Sequence, residues 1–262
     1  MSEATRHPPR AMRRYTAVLF DLFDTLVRFD RGRLPVVSIG GREVRSSVPW
    51  LYVIARSALP GVTLEAFYEA FYWSYQEAER RRAADHREIA ARERFGLFYA
   101  RLGVSEGSAP EILTERLLAA HLACLAGAAQ AMPGRGELLD WLRGRYRLAV
   151  VSNFDYTPTV ERILGDAAIR DRFETVVVSD AVGWRKPRAV IYDVALARLG
   201  VEPGECLFVG DRADIDVLGA KAIGMDAAWL NPARTALPEG LPPPDFDLPD
   251  LAALRPILEK SS

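Results

Sequence analysis

The residues best suited to chemistry are a few short polar side chains that close off apolar runs. Asp21 and Thr25 follow Ala17-Val18-Leu19-Phe20. Ser152 and Asn153 follow Leu148–Val151, Lys186 sits in Trp184-Arg185-Lys186-Pro187, and Asp211 and Asp216 follow Leu207-Phe208-Val209-Gly210. Carboxylates converging at one edge repel, and a divalent cation relieves the repulsion most cheaply. Mg2+ takes oxygen ligands, commonly one or two carboxylates plus substrate oxygens. A lysine with short hydroxyl side chains makes a pocket for a tetrahedral anion. A carboxylate held against a cation and a lysine is placed to attack phosphorus and form an acyl phosphate. Phosphoryl transfer needs mainly positioning and charge neutralisation, which this set supplies.

Such a set works only if the chain brings its members together. The runs at 17–20, 147–155 (ending in a polar turn), 173–180, 205–211 and 226–231 read as strands, the first a continuous apolar run as expected for burial on both faces. Helical patterns separate them: 134–146, 157–169, 189–201 and 214–224. Strands alternating with helices predict an α/β fold with a doubly wound parallel sheet, whose ligands sit beyond the carboxyl ends of the strands. Asp21, Ser152, Ser179 and Asp211 mark four such ends. Residues 28–48 read as a loop with a short hairpin at Gly40-Gly41, and 49–130 as mainly helix. This block is too long for a crossover and predicts an inserted helical cap over 28–130, on a core of 14–27 plus 131–262. Residues 1–13 read as a disordered leader, and the proline-rich stretch 232–249 as an ordered connection to a last helix.

Composition narrows the classes. The 262 residues carry a net charge of −1, so no basic footprint suggests nucleic acid. Cys124 and Cys206 are far apart and read as small core hydrophobes. His7, His86 and His121 offer little for a histidine mechanism. No segment reaches the ~20 apolar residues of a membrane span, and the basic N-terminus lacks the apolar core of a secretory signal. The expectation is a cytoplasmic enzyme, monomeric or homodimeric, with a small-molecule substrate. Phe67, Phe71 and Tyr75 read as helix core, and Glu79-Arg80-Arg81-Arg82 as a solvated face. Only three lysines occur, Lys186, Lys221 and Lys260.

Four segments in order, FDLFDTLV (20–27), VVSNFD (150–155), WRKP (184–187) and FVGDRADIDVLGA (208–220), resemble the motifs of haloacid dehalogenase-like hydrolases. The resemblance covers about 15–232 and implies a Rossmann-like core with the helical cap of that family's first subclass. It also implies Mg2+ as cofactor. Carried over, Asp21 matches the nucleophile, Thr25 and Ser152 the phosphate-binding hydroxyls, and Asn153 a residue orienting nucleophile or substrate. Lys186 matches the residue neutralising nucleophile and phosphate. Asp211 matches the metal ligand, Asp216 a second acidic residue supporting the metal waters or Lys186, and the backbone carbonyl of Phe23 a further ligand.

One position departs from the pattern. Phosphatases of this family usually carry an Asp two residues after the nucleophile, which protonates the leaving oxygen and then activates water. Here it is Phe23. Asp24 is adjacent but points to the opposite face of an extended chain. An aromatic residue there resembles the dehalogenase branch, which needs no metal, yet Asp211 would repel a haloacid carboxylate. The phosphonate-cleaving branch needs a cap lysine, and none precedes Lys186. The leading expectation is a Mg2+-dependent phosphohydrolase working through an aspartyl phosphate on a small phosphorylated metabolite. The alternatives are a 2-haloacid dehalogenase-like C–X hydrolase and a catalytically impaired phosphate- or metal-binding relative.

Overall fold

A computed structural model describes residues 15–104 and 111–260; the leader expected over 1–13 lies outside them. The chain enters the sheet as β1 (Ala17–Phe20), every residue of which is buried. β2 (Val27–Phe29) leads out to a hairpin of β3 (Val36–Ile39) and β4 (Arg42–Arg45). Gly40 and Gly41, both at positive φ (54° and 77°), make its two-residue turn, which side chains with a Cβ adopt poorly. Four helices follow: α1 (Val48–Ala55), α2 (Leu64–Asp85), α3 (Ala91–Arg101) and α4 (Glu111–Ala128). β5 (Ala129–Ala131) then returns antiparallel to β2, with Arg28 opposite Gln130.

The rest alternates as expected: α5 (Arg135–Arg143), β6 (Arg147–Ser152), α6 (Thr157–Asp166), β7 (Thr175–Val178), the short α7 (Ser179–Val182), α8 (Ala189–Leu199), β8 (Cys206–Gly210), α9 (Leu218–Ala222), β9 (Asp226–Leu230), β10 (Phe246–Leu248) and α10 (Leu254–Lys260). The six-stranded sheet runs β10-β9-β8-β1-β6-β7, all parallel. Alternate residues feed opposite faces. Val18, Phe20, Leu148 and Val150 pack with α5, α6 and α10; Leu19, Val151 and Phe208 pack with α8 and α9. This is the doubly wound arrangement the sequence predicts.

Two details correct that reading. The stretch 232–249 holds a strand, β10, at the sheet edge; its three residues between prolines give no apolar run, and an edge tolerates the neighbouring prolines. The helix expected over 214–224 begins with a wide π-helical turn, Ala213–Val217.

The helical block has its own core, in which Phe67, Phe71, Phe95 and Phe98 meet Leu51, Leu117 and Leu122. Tyr75 lies outside it, half exposed. Phe154, just beyond β6, packs against both this core and that of the sheet. Cys124 and Cys206 are free and buried, as expected. No described helix is long and apolar enough to cross a membrane.

Candidate active site

The order of the strands does the assembling. β1 lies between β6 and β8, so Asp21, Ser152 and Asp211 emerge side by side at the carboxyl edge. The Lys186 ammonium, fully buried, reaches into this edge from the loop before α8. Its Nζ lies 2.6 Å from Asp21 Oδ1, 2.8 Å from Asp216 Oδ1 and 5.1 Å from the centre of the Phe208 ring. Asp216 is buried too, and its Oδ2 accepts the Arg212 backbone N–H at 3.0 Å. It sits so close to the end of β8 that a Cβ on Gly210 would fall 2.2 Å from that oxygen. Glycine is therefore required there for close approach, not for an unusual φ. The Trp229 indole N–H donates to the Asp211 carbonyl at 2.9 Å and fixes that backbone.

Charge is unbalanced. Carboxylate oxygens of Asp21, Asp211 and Asp216 all lie within 4.8 Å of one another, against one lysine. Burial pushes the Asp21 carboxyl up to about 6, Lys186 pulling it down and Asp216 pushing it further up. Asp211 is pushed up to about 7, first by burial and then by Asp21, Asp216 and Asp24. Burial would lower the Lys186 ammonium, but Asp21 and Asp216 outweigh it and lift it above its ordinary value. Hard oxygen ligands with surplus negative charge suit a Mg2+-like cation. Asp21 and Asp211 are carboxylates that could hold one. Both Asp216 oxygens are already engaged by Lys186 and the Arg212 amide, so Asp216 fits better as the residue holding Lys186 than as a direct ligand.

Two hydroxyls carry a second signal. Thr25 Oγ1 and Ser152 Oγ are fully buried and find no hydrogen-bond partner. A buried hydroxyl without a partner costs about 1–3 kcal/mol, and a bound oxyanion would supply one. Both are residues the sequence picks out as anion binders.

Asn153, expected to orient nucleophile or substrate, holds the backbone of Lys186. Its Nδ2 donates to the Lys186 carbonyl at 3.0 Å and its Oδ1 accepts the Lys186 N–H at 2.7 Å. The amide grips the lysine's backbone with both its nitrogen and its oxygen. Phe23 is half-buried and packs on Phe154 and Phe29, with ring centres 5.4 and 6.0 Å apart. Asp24 is exposed and left-handed (φ 58°), its carboxylate accepting the Phe29 N–H at 3.3 Å; it forms the turn into β2. Neither residue places an acid beside Asp21.

Known proteins resemble this chain in sequence and in fold. A family model described as haloacid dehalogenase-like hydrolase matches residues 15–224. The chain is 31% identical over 151 residues to the pyrimidine 5'-nucleotidase YjjG of Escherichia coli K12, covering 57% of this chain and 63% of that protein. It is 27% identical over 243 residues to the glyceraldehyde 3-phosphate phosphatase of Methanopyrus kandleri, covering 92% and 93%. For the first curated relatives, the match spans only about half to 63% of their length. Among solved structures, a 2-haloacid dehalogenase from Pseudomonas syringae pv. Tomato superposes with a TM-score of 0.71 at 23% identity, over 95% of this chain and all of that one. At that identity the likeness speaks to the fold.

Proposed function

The chain belongs to the haloacid dehalogenase-like hydrolases, and on that footing we propose that it is a Mg2+-dependent phosphohydrolase of small phosphorylated metabolites. The observation that carries this reading is the pair of buried, partnerless hydroxyls, Thr25 and Ser152, beside the Asp21–Lys186 ion pair. Two hydroxyls and an ammonium match the oxygens of a phosphoryl group. The Asp211 carboxyl, already crowded by two others, would repel the carboxylate of a haloacid. The phosphatase among the relatives that aligns over nearly its whole length supports the same choice.

On this reading Asp21 attacks phosphorus with one carboxylate oxygen while Lys186 holds the other. The P–O bond to the leaving group breaks, and its electron pair departs with that oxygen. Thr25 and Ser152 keep the transferring group in line, and Lys186 offsets its charge. Water then attacks phosphorus, the bond to Asp21 breaks with its electron pair returning to the carboxylate, and inorganic phosphate is released, the water's protons passing to the phosphate and to solvent. Asp21, Asp211 and the Phe23 carbonyl would hold Mg2+, which supplies further neutralisation of phosphoryl charge. Asp216 and Asn153 fix Lys186 from opposite ends. Phe23 offers no proton, and a missing general acid–base costs ~10²–10⁴-fold. The substrates best served are those whose leaving group needs no proton, such as acyl or aryl phosphates. Residues 28–130 serve as the cap over a core of 14–27 and 131–262, and the expected setting is the cytoplasm, as monomer or homodimer.

Phosphate release from acetyl phosphate and p-nitrophenyl phosphate, with Mg2+ and with EDTA, tests this reading. Release that needs both Mg2+ and Asp21, and is lost in Asp21→Asn, is the expected result. Metal-independent halide release from 2-chloropropionate, with no phosphate release, would overturn it.

A further inference from the structure

The Arg-rich end of α2 does not behave as the solvated face its sequence suggests. Arg80 and Arg81 are exposed, but Arg82 turns inward and is 6% exposed. Its Nε lies 2.9 Å from Glu88 Oε1 and its Nη2 donates to the Ile89 carbonyl at 2.6 Å. Glu88, in the connection between α2 and α3, is 4% exposed. It lies against the sheet edge rather than within the helical block. Its backbone N–H donates to Gly183 O at 2.9 Å, the Arg185 N–H donates to His86 O at 2.9 Å, and Arg87 bridges Trp184. The connection is thus laid antiparallel along 183–185, the segment that ends at Lys186.

From Glu88 two arms converge on that lysine. In the first, Arg185 Nη1 donates to Glu88 Oε2 at 2.8 Å, and Arg185 is the residue before Lys186. In the second, the buried Ser179 hydroxyl donates to Glu88 Oε2 and accepts the Phe154 N–H at 3.0 Å. Phe154 follows Asn153, whose amide grips Lys186 N–H and C=O. Around this cluster, Asp155 faces Arg82 and Arg94 at 3.6 and 3.5 Å, and Glu79 faces Arg82 at 2.5 Å. The charges are mutually compensated, Glu79, Glu88 and Asp155 facing Arg82, Arg94 and Arg185.

We propose that Glu88 is a positioning residue for the reaction: by clamping Arg185 and Ser179 together it aims Lys186 at Asp21, so that seating of the 86–91 connection and assembly of the charged site are one event. The catalytic part of this proposal rests on the phosphohydrolase reading; the clamp itself rests on contacts alone. A displacement of about 1 Å in a catalytic group costs about 10²-fold in rate. A loosened clamp is therefore expected to lower kcat by 10- to 100-fold while KM changes no more than about threefold.

The scarcity of lysine makes a second readout clean. In the intact 262-residue chain, reductive methylation followed by mass spectrometry reports Lys186, Lys221 and Lys260 separately. Lys186, 1% exposed at its side chain, should be protected in the wild type while the exposed Lys260 serves as reference. In Glu88→Gln its labelling should rise about tenfold or more relative to Lys260, the opening of the loop shifting by that factor. Tyr52→Phe removes a contact inside the helical block and away from this cluster, the Tyr52 hydroxyl donating to the Val62 carbonyl at 2.9 Å, and should leave Lys186 protected. If Glu88→Gln does not fold, Arg185→Met, at a partly exposed position, makes the same test. Lys186 as protected in these variants as in the wild type overturns the clamp. Labelling that rises with kcat unchanged overturns its part in the reaction. If the wild type turns over no phosphate, labelling still decides on the clamp, and the loss falls on the functional reading alone.

Discussion

Replacing Asp211 by Asn should stabilise the metal-free protein and abolish its response to Mg2+. In the wild type, burial and the neighbouring Asp21, Asp216 and Asp24 raise the Asp211 carboxyl from 3.8 to about 7. That rise of about three pH units, at 1.4 kcal/mol each, is a penalty of about 4 kcal/mol; solvent contact at this half-buried site reduces it to about 2 kcal/mol. The folded state holds the proton more tightly than the unfolded one. The penalty is therefore absent below pH 3.8, grows between 3.8 and about 7, and is complete above that. Urea unfolding in EDTA at pH 8 should show Asp211→Asn about 2 kcal/mol more stable than wild type, or about 4–8 °C higher in Tm, with the gap reduced by more than half at pH 5. Mg2+ at a hundred times its Kd should stabilise the wild type by about 2.7 kcal/mol and the variant by little. A variant less stable than wild type in EDTA at pH 8 would show that the carboxylates are not crowded. An equal response to Mg2+ would remove Asp211 from the ligand set.

Other sites give shorter tests. Phe23→Asp places a carboxyl where the leaving oxygen departs, and should raise turnover of alkyl phosphates by about 10²-fold or more; a folded variant no faster on any phosphate ester refutes the account of the missing acid. Ser152→Ala removes a partnerless buried hydroxyl, and should raise ligand-free stability by about 1 kcal/mol while lowering affinity for inorganic phosphate; calorimetry and urea unfolding measure the two. Burial, and then Arg94, hold the His121 imidazole well below 6.5. Its neutral form therefore supports the fold fully above pH 6.5, and that support is lost as pH falls below it, by at most about 1.4 kcal/mol per unit. His121→Gln should flatten that slope between pH 7 and 5.5, and identical slopes would count against a neutral, buried His121.

The sheet and its carboxyl edge were legible because a strand buried on both faces must be apolar along its length. Ala17–Phe20 and Leu148–Val151 have no polar residue to hide, so Asp21 and Ser152 stand out as the points where the chain leaves the core. β10 escaped because three residues between prolines make no pattern; only its neighbour β9 gives it a register. Asn153 was found, but its grip on Lys186 was not legible, since that contact is a backbone 33 residues on. Arg82 and Glu88 escaped for a related reason. A run of four charges reads as solvated, and what buries Arg82 is a carboxylate from the next turn together with Asp155, from the far side of the insertion. Ser179 was visible as a polar strand end, but its use depends on Glu88.

The pairing of β2 with β5 has an evolutionary consequence. Both ends of the helical insertion leave the sheet as adjacent antiparallel strands, about 5 Å apart. A segment anchored in that way is a cassette: it can be lengthened, shortened or exchanged without rethreading the sheet, leaving Asp21, Lys186 and Asp211 in place. Recombination at this stem would replace the inserted helices while the reacting groups are inherited unchanged. The limit on such grafts lies at the opposite side, at Arg185 and Ser179. A foreign insertion that brings no counterpart of Glu88 would leave a guanidinium and a hydroxyl unanswered beside the lysine, so compatible cassettes should be those that carry an acid in the connection between their second and third helices.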